Sequence, residues 1–84
     1  MSYVLDFSKQ AIKELAKINE PHYSNIKQAI LNLADNPRPN GYKKLKGRVG
    51  YRIRIGNYRV IYDIYDNELH IVVVDLGHRK GIYE

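Results

Sequence analysis

The sequence predicts an α+β fold in the order β-α-α-β-β-β, with two N-terminal helices packed on one face of a small, mainly antiparallel sheet. Apolar residues recur at helical spacing through residues 11–34, whereas apolar and polar residues alternate from residue 51 onward. A Gly56-Asn57 pair joins two alternating runs and favours a two-residue hairpin turn. The 84 residues are expected to form a single domain over residues 1–84 with a core of modest size.

The first half predicts one strand and two helices. Residues 3–7 alternate and predict a short strand, after which Ser8 suits the N-cap of the first helix. Pro21 suits the first turn of the second helix, whose apolar stripe runs from Ile26 to Ala34. The prolines and the glycine of loop 36–41 end that helix.

The second half predicts three strands, over residues 51–55, 58–65 and 69–76. The Gly-Asn turn places Ile55 opposite Tyr58 and Arg54 opposite Arg59. The face that the helices cover is predicted to carry Tyr51, Ile53, Ile55, Tyr58, Val60, Tyr62, Ile71 and Val73. The opposite face is predicted to carry Arg52, Arg54, Arg59, Ile61, Val72 and Val74. We expect this second face to be open to solvent or to a ligand, because no third helix covers it.

Two arginines opposite each other on one sheet face suggest an anion site. Like charges in that arrangement are destabilising, so Arg54 and Arg59 are expected to act together on a phosphate or carboxylate. The alternative is that these charges keep an exposed sheet soluble and pair with Asp63 or Glu68. The residues alone leave both interpretations open.

The net charge of the chain indicates which kind of partner it binds. The 14 Lys and Arg residues exceed the 9 Asp and Glu residues, which gives a net charge of +5 and favours a polyanion or an acidic protein. The longest purely apolar run, Ile71 to Val74, is far too short to cross a bilayer, and Asp6 interrupts the stretch where a signal peptide needs apolar residues. The expectation is a soluble, cytoplasmic protein without a membrane partner.

Two further segments carry polar chemistry. The loop from Lys43 to Arg48 leads into the hairpin and is a candidate for contacting phosphates. The stretch from Gly77 onward contains His78, Arg79 and Tyr83, which are titratable or cationic. The other two histidines, His22 and His70, are predicted to be surface residues around which nothing converges.

Several motifs in order resemble the RelE branch of the RelE/ParE toxin superfamily, over nearly the whole chain. They are Lys-Leu-Lys-Gly before the hairpin, Tyr-Arg-Ile-Arg, Gly-Asn-Tyr-Arg-Val-Ile-Tyr, and Gly-His-Arg followed by Ile-Tyr. The resemblance implies a RelE-like fold and the toxin of a type II toxin-antitoxin module. It implies a ribosome-dependent mRNA endoribonuclease that cuts in the A site by attack of a 2′-hydroxyl on the adjacent phosphate, with no metal or other cofactor.

The resemblance assigns Arg52, Arg54, Arg59, Arg79 and Tyr83 to the site, and position and side-chain chemistry add His78 and the residues of the basic loop. The predicted catalytic residues are Arg54, Arg59, His78, Arg79 and Tyr83. The predicted RNA-binding residues are Lys44, Lys46, Arg48 and Arg52. Well-studied members have lysines where this chain has Arg52 and Arg54, and arginine is effectively never deprotonated, so neither residue is expected to be a general base. Charge stabilisation is therefore assigned to Arg54, Arg59 and Arg79, and proton transfer to Tyr83 and His78 in an order that stays open.

The partners implied by the resemblance are the ribosome, mRNA and a cognate acidic RelB-like antitoxin, through which the complex binds operator DNA. The main alternative is a ParE-like toxin that inhibits DNA gyrase without cutting RNA, since fold alone does not decide function. A basic RNA-binding module without catalysis is the third possibility. The arginine, histidine and tyrosine set favours the nuclease, because a pure binder does not require it.

Overall fold

The computed structural model describes residues 2–78, which form two α-helices, five strands and one 3-10 turn. The elements in chain order are β1 (Val4–Phe7), α1 (Lys9–Leu15), α2 (His22–Leu33), β2 (Lys43–Lys44), β3 (Tyr51–Ile55), β4 (Tyr58–Tyr65), the 3-10 turn (Asp66–Glu68) and β5 (His70–His78). The predicted α+β fold is confirmed. The two-residue strand β2 was not predicted and lies in the basic loop before the hairpin.

The strands of the described range form one sheet in the order β1-β5-β4-β3-β2. Strand β1 runs parallel to β5, and the other neighbouring pairs are antiparallel. The last strand therefore lies inside the sheet, between the first strand and the hairpin. No helix within residues 2–78 is long and apolar enough to cross a membrane.

Side-chain oxygens accept hydrogen bonds from amides in the first turn of both helices. The Ser8 hydroxyl accepts a hydrogen bond from the Ala11 amide at 3.0 Å, which confirms the predicted cap of α1. Helix α2 has no side-chain cap at Pro21, but the Glu20 carboxylate accepts bonds from the amide and the hydroxyl of Ser24 at 2.9 and 2.6 Å. These bonds lower the pKa of Glu20.

The hairpin forms in the predicted register, whereas the pairing of β4 with β5 contains a bulge. Ile55 lies opposite Tyr58 and Arg54 opposite Arg59, as the Gly-Asn turn predicts. Between β4 and β5 the register changes, so that Ile61 pairs with Asp75 while Tyr62 pairs with Val73. Val74 is thus the extra residue of a β-bulge, which the sequence pattern did not predict.

The core lies between the helices and one face of the sheet, as predicted. Its buried residues are Ala11, Ile26, Ile30, Leu33, Ile53, Val60, Tyr62, Ile71, Val73 and Leu76. Leu76 joins them because the bulge turns it toward the helices, opposite Val60. The Tyr62 hydroxyl reaches across the core and donates to the carbonyl of Pro37 at 2.7 Å, and burial raises the pKa of this phenol.

An ion pair attaches the loop after α2 to the far end of the sheet. Arg38 donates two hydrogen bonds to Asp66, at 3.2 and 2.9 Å, and the Tyr3 hydroxyl donates to the same carboxylate at 2.8 Å. The Arg38 guanidinium also lies 5.7 Å from the centre of the Tyr51 ring. These contacts lower the pKa of Asp66, with the Arg38 hydrogen bonds as the largest cause.

Candidate functional site

The Arg54 and Arg59 side chains lie on the sheet face away from the helices. Their neighbours Ile53, Ile55 and Val60 pack into or against the core, so alternation directs both guanidinium groups to the other face. The tight turn that brings them opposite each other depends on Gly56, whose φ of 59° is readily adopted by glycine. The local sequence thus places two permanent positive charges on adjacent strands.

This face is less open than predicted. Arg54 is exposed, but Arg52 is only 4% exposed, Arg59 8% and Ile61 2%. The expectation of a solvent-open surface is therefore wrong at these three positions. Arginine keeps its charge when it is buried, and charges interact more strongly where water is excluded. The site combines one guanidinium that a ligand can reach with two that are held in fixed positions.

Two carboxylates share this face with the arginines. Asp63 lies two residues beyond Ile61, the partner of Arg52, and Asp75 lies opposite Ile61. The buried Asp63 Oδ1 accepts no hydrogen bond from residues 2–78, while Asp75 Oδ1 accepts one from the Leu76 amide at 2.8 Å.

The basic loop lies beside the hairpin because β2 pairs with β3. Lys43 is opposite Arg52 and Lys44 opposite Tyr51, and the Leu45 amide donates to the Gly50 carbonyl at 3.0 Å to close the loop. The loop surrounds a cavity of about 200 Å³ lined by Lys44, Leu45, Arg48, Val49, Gly50 and Tyr51. The predicted RNA-binding residues Lys44, Lys46 and Arg48 are all exposed here, whereas Arg52 is buried.

Gly50 fixes how closely this loop approaches the sheet. Its φ is 134°, and a Cβ atom added to it would lie 3.0 Å from Asp63 Oδ1 and 3.1 Å from Leu45 Cδ1. Arg48 Nη2 would lie 3.6 Å from the same point. Glycine therefore allows the loop backbone to lie directly against the carboxylate and brings the Arg48 guanidinium to the same place.

The structure does not bring His78 to the arginine pair. In β5 it is Gly77 that lies opposite Arg59, while His78 lies opposite Tyr58. Tyr58 packs against the core, and the rings of Tyr58 and His78 meet edge to face with their centroids 5.7 Å apart. His78 is thus on the helix side of the sheet. The two other C-terminal residues of the predicted catalytic set, Arg79 and Tyr83, lie outside the described residues.

The prediction that nothing converges around His22 and His70 is wrong for both. The rings of His22 and Tyr58 lie 5.3 Å apart, so His22, Tyr58 and His78 form a row of three rings, which we call the aromatic row. His70 hydrogen-bonds Asp6 through Nε2 and lies 6.2 Å from the Tyr65 ring. Neither cluster is evident from the sequence, because Tyr58 meets His22 and Asp6 meets His70 only through tertiary packing.

Comparison with known proteins identifies the class of this fold and site. The sequence profile of the family described as "ParE toxin of type II toxin-antitoxin system, parDE" matches residues 5–83. The mRNA interferase toxin RelE of Escherichia coli K12 is 29% identical over 83 residues, which cover 95% of this chain and 86% of that protein. The chain belongs to the RelE/ParE superfamily of type II toxin-antitoxin toxins, as a RelE-like member.

Solved structures agree with this assignment. The archaeal RelE-RelB complex from Pyrococcus horikoshii OT3 contains a chain that superimposes with a TM-score of 0.82 at 30% identity, covering 94% of this chain and 97% of that one. The intact Escherichia coli RelBE toxin-antitoxin complex contains one with a TM-score of 0.80 at 28% identity, covering 92% and 96%. The predicted RelE-like fold is thereby confirmed.

Proposed function

We propose that this RelE-like toxin is a ribosome-dependent endoribonuclease that cleaves mRNA in the ribosomal A site and so inhibits translation in the cytoplasm. The observation that carries the proposal is that Arg54 and Arg59 lie opposite each other in the register of the hairpin, on one sheet face. The similarity to a protein named mRNA interferase supports the same activity. Two permanent positive charges on adjacent strands suit a reaction in which a phosphate gains negative charge.

The proposed reaction needs no metal or other cofactor. The 2′-hydroxyl loses its proton as its oxygen forms a bond to the adjacent phosphorus, and the 5′-oxygen gains a proton as its bond to phosphorus breaks. The products are a cyclic phosphate and a 5′-hydroxyl. Negative charge increases on the phosphate oxygens between these two events. Arg54 is exposed and is proposed to contact them, with Arg59 held beside it by burial. Arg79 is proposed to add a third positive charge, and Arg52 to position the RNA backbone.

Proton transfer is proposed for Tyr83 ahead of His78. Arginine cannot accept a proton at physiological pH, so the arginine pair can stabilise charge but cannot deprotonate the 2′-hydroxyl. The His78 ring lies against Tyr58 on the other side of the sheet from the pair, which favours Tyr83 for this role. Since residues 2–78 place no strong base on the face of the arginines, alignment of the message by the ribosome is proposed to supply part of the rate.

The proposed partner is an acidic RelB-like antitoxin that blocks the arginine pair. The similar Pyrococcus horikoshii protein is crystallised as a RelE-RelB complex. A net charge of +5, with Lys44, Lys46 and Arg48 exposed beside the hairpin, suits an acidic segment as well as it suits RNA. We propose that the antitoxin also carries the contacts of the complex to operator DNA.

Gyrase inhibition is the second candidate, because the family profile that matches bears the ParE name. The two functions are separated by incubating the purified protein with ribosomes stalled on a defined message and mapping the message by primer extension. We expect cuts within the A-site codon and slow cutting of the same message without ribosomes. Intact messages, together with gyrase-linked DNA breaks in expressing cells, would establish the second candidate.

A further inference from the structure

The aromatic row stands at the hairpin end of the sheet, on the side of the helices. His22 begins α2, Tyr58 begins β4 and His78 ends β5, so three separate elements contribute one ring each. The planes of His22 and Tyr58 are inclined at 44°, and those of Tyr58 and His78 at 71°. The central ring packs against the core and holds the geometry of the outer two.

The outer rings are open to solvent. His22 and His78 are both exposed, whereas Tyr58 is half-buried. Beside them lies a small cavity of about 60 Å³ lined by His22, Asn25, Ile26, Ile55, Gly56 and Tyr58. The Asn25 amide at its edge offers both a donor and an acceptor. Aromatic faces next to an amide are the groups that recognise an unpaired nucleobase, by stacking and by hydrogen bonds to its edge.

The row is close to the arginine pair although it lies on the other face. Ile55, Tyr58 and His78 occupy one rung across the three strands, and Arg54, Arg59 and Gly77 occupy the next rung. The two groups are therefore separated by one residue along each strand and by the thickness of the sheet. A strand of RNA held at Arg54 meets the aromatic row if it continues around the turn end of the hairpin.

We propose that the aromatic row is a stacking site for a base of single-stranded RNA, next to the nucleotides whose phosphates contact Arg54. The inference rests on the proposed function, since it takes RNA as the ligand of this end of the sheet. It assigns His78 to binding by its ring and gives His22 a role in the same site. Base stacking on aromatic side chains tolerates any sequence, which fits a contact that adds affinity without selecting a codon.

The test uses an RNA hexanucleotide with 2′-O-methyl groups throughout, which cannot be cleaved by 2′-hydroxyl attack, and with one 2-aminopurine base whose fluorescence falls on stacking. His22→Ala is compared with His22→Phe, which keeps a ring, and with His70→Ala, which removes a histidine beside Tyr65 at the other end of the sheet. We expect His22→Ala to raise Kd about 5- to 150-fold and to abolish the quenching. His22→Phe and His70→Ala should retain both.

Three results would contradict the proposed stacking site. These are no binding by the wild-type protein, unchanged Kd and quenching in His22→Ala, or equal binding of an otherwise identical hexanucleotide that is abasic at the probe position. If His22→Ala fails to fold, NMR of the wild-type protein decides, because a stacked base shifts the imidazole protons of His22 and His78 upfield and an anion alone does not. Cleavage on ribosomes is measured separately. Cleavage without His22-dependent binding of the hexanucleotide would reject only the stacking site, and His22-dependent binding without cleavage would reject only the proposed nuclease activity.

Discussion

The hydroxyl of Ser8 donates a hydrogen bond to the carbonyl of Val74, the residue that the bulge in β5 leaves without a partner in β4. The same hydroxyl oxygen accepts from the Ala11 amide, and the Ser8 amide donates to the Val73 carbonyl at 2.9 Å. One small side chain therefore caps helix α1 and satisfies the carbonyl at the irregular point of the sheet.

Ser8→Ala is expected to destabilise the protein by about 1–2 kcal/mol, because it removes the helix cap and leaves a partly buried carbonyl without a donor. Urea unfolding monitored by circular dichroism measures the change. Ser8→Thr keeps the hydroxyl and should lose less, and Ser24→Ala, which removes a hydroxyl bonded only to Glu20, is the surface control. Equal stability of Ser8→Ala and wild type would show that the two hydrogen bonds of the Ser8 hydroxyl do not stabilise the protein.

The arginine pair predicts different outcomes for its two members. Arg54 is exposed, so Arg54→Ala should fold normally and lose about 10²- to 10³-fold in cleavage rate, the range for removing one donor that stabilises a developing anion. Arg59→Ala should also lower the melting temperature, because Arg59 is 8% exposed and its removal leaves space inside the structure. Single-turnover cleavage on programmed ribosomes and thermal melting measure the two effects.

Lys13→Ala is the charge-matched control for Arg54→Ala, since it removes one positive charge from α1, whose contacts are with β1 and β5. It should cleave at the wild-type rate. Full activity in Arg54→Ala would remove this face of the sheet from the reaction.

The ion pair of Arg38 with Asp66 predicts a loss of stability in acid. The Arg38 hydrogen bonds lower the pKa of Asp66 from its usual 3.8, so the stabilisation is fully present above that value and disappears as the pH falls through the lower folded-state pKa. Asp66→Asn should therefore be less stable than wild type at neutral pH. The difference should shrink steadily below about pH 4.

Urea midpoints measured from neutral pH down to about pH 2 check this dependence. The quantity to follow is the difference in stability between wild type and Asp66→Asn. Glu20 also has a lowered pKa, and its protonation contributes to the loss of stability in acid of both proteins. A difference that stays constant across the range would mean that Asp66 acts through packing and not through its charge.

Gly50 is expected to be intolerant of a side chain. Gly50→Ala places a Cβ atom 3.0 Å from Asp63 Oδ1 at a φ of 134°, so we expect about 1–3 kcal/mol of destabilisation and displacement of the basic loop. Gly47→Ala, at a φ of 77° with open space around the added atom, is the matched control and should lose less. Equal stability losses in the two variants would mean that only the backbone conformation matters at Gly50.

The sequence predicted those parts of the fold that local chemistry decides. A Gly-Asn pair between two alternating strands specifies the turn, and the turn alone specifies that Arg54 lies opposite Arg59. Ser8 likewise marks the start of α1 without reference to the rest of the chain. In both cases a few neighbouring residues are enough.

The bulge was not predictable in the same way. Residues 71–74 are all apolar, so alternation does not reveal which of them is extra, and a change of one residue moves every later side chain to the other face. Because of this change of register, Asp75 lies on the same face as the arginines and His78 lies beside Tyr58. The burial of Arg52 and Arg59 was not predicted either. The alternation of residues shows which face of the sheet a side chain lies on, but it does not show how much of that face is buried by tertiary packing.

The parallel pairing of β1 with β5 has a consequence for how the chain is made. Residues 4–7 are synthesised well before their partners, residues 70–73, and the carbonyl that accepts the hydrogen bond from the Ser8 hydroxyl belongs to Val74. Strand β1 must therefore wait until β5 has been synthesised, and a contact between such distant segments closes late in folding. A nascent chain that ends before β5 therefore has no partner for β1 and lacks the strand that joins β1 to the rest of the sheet.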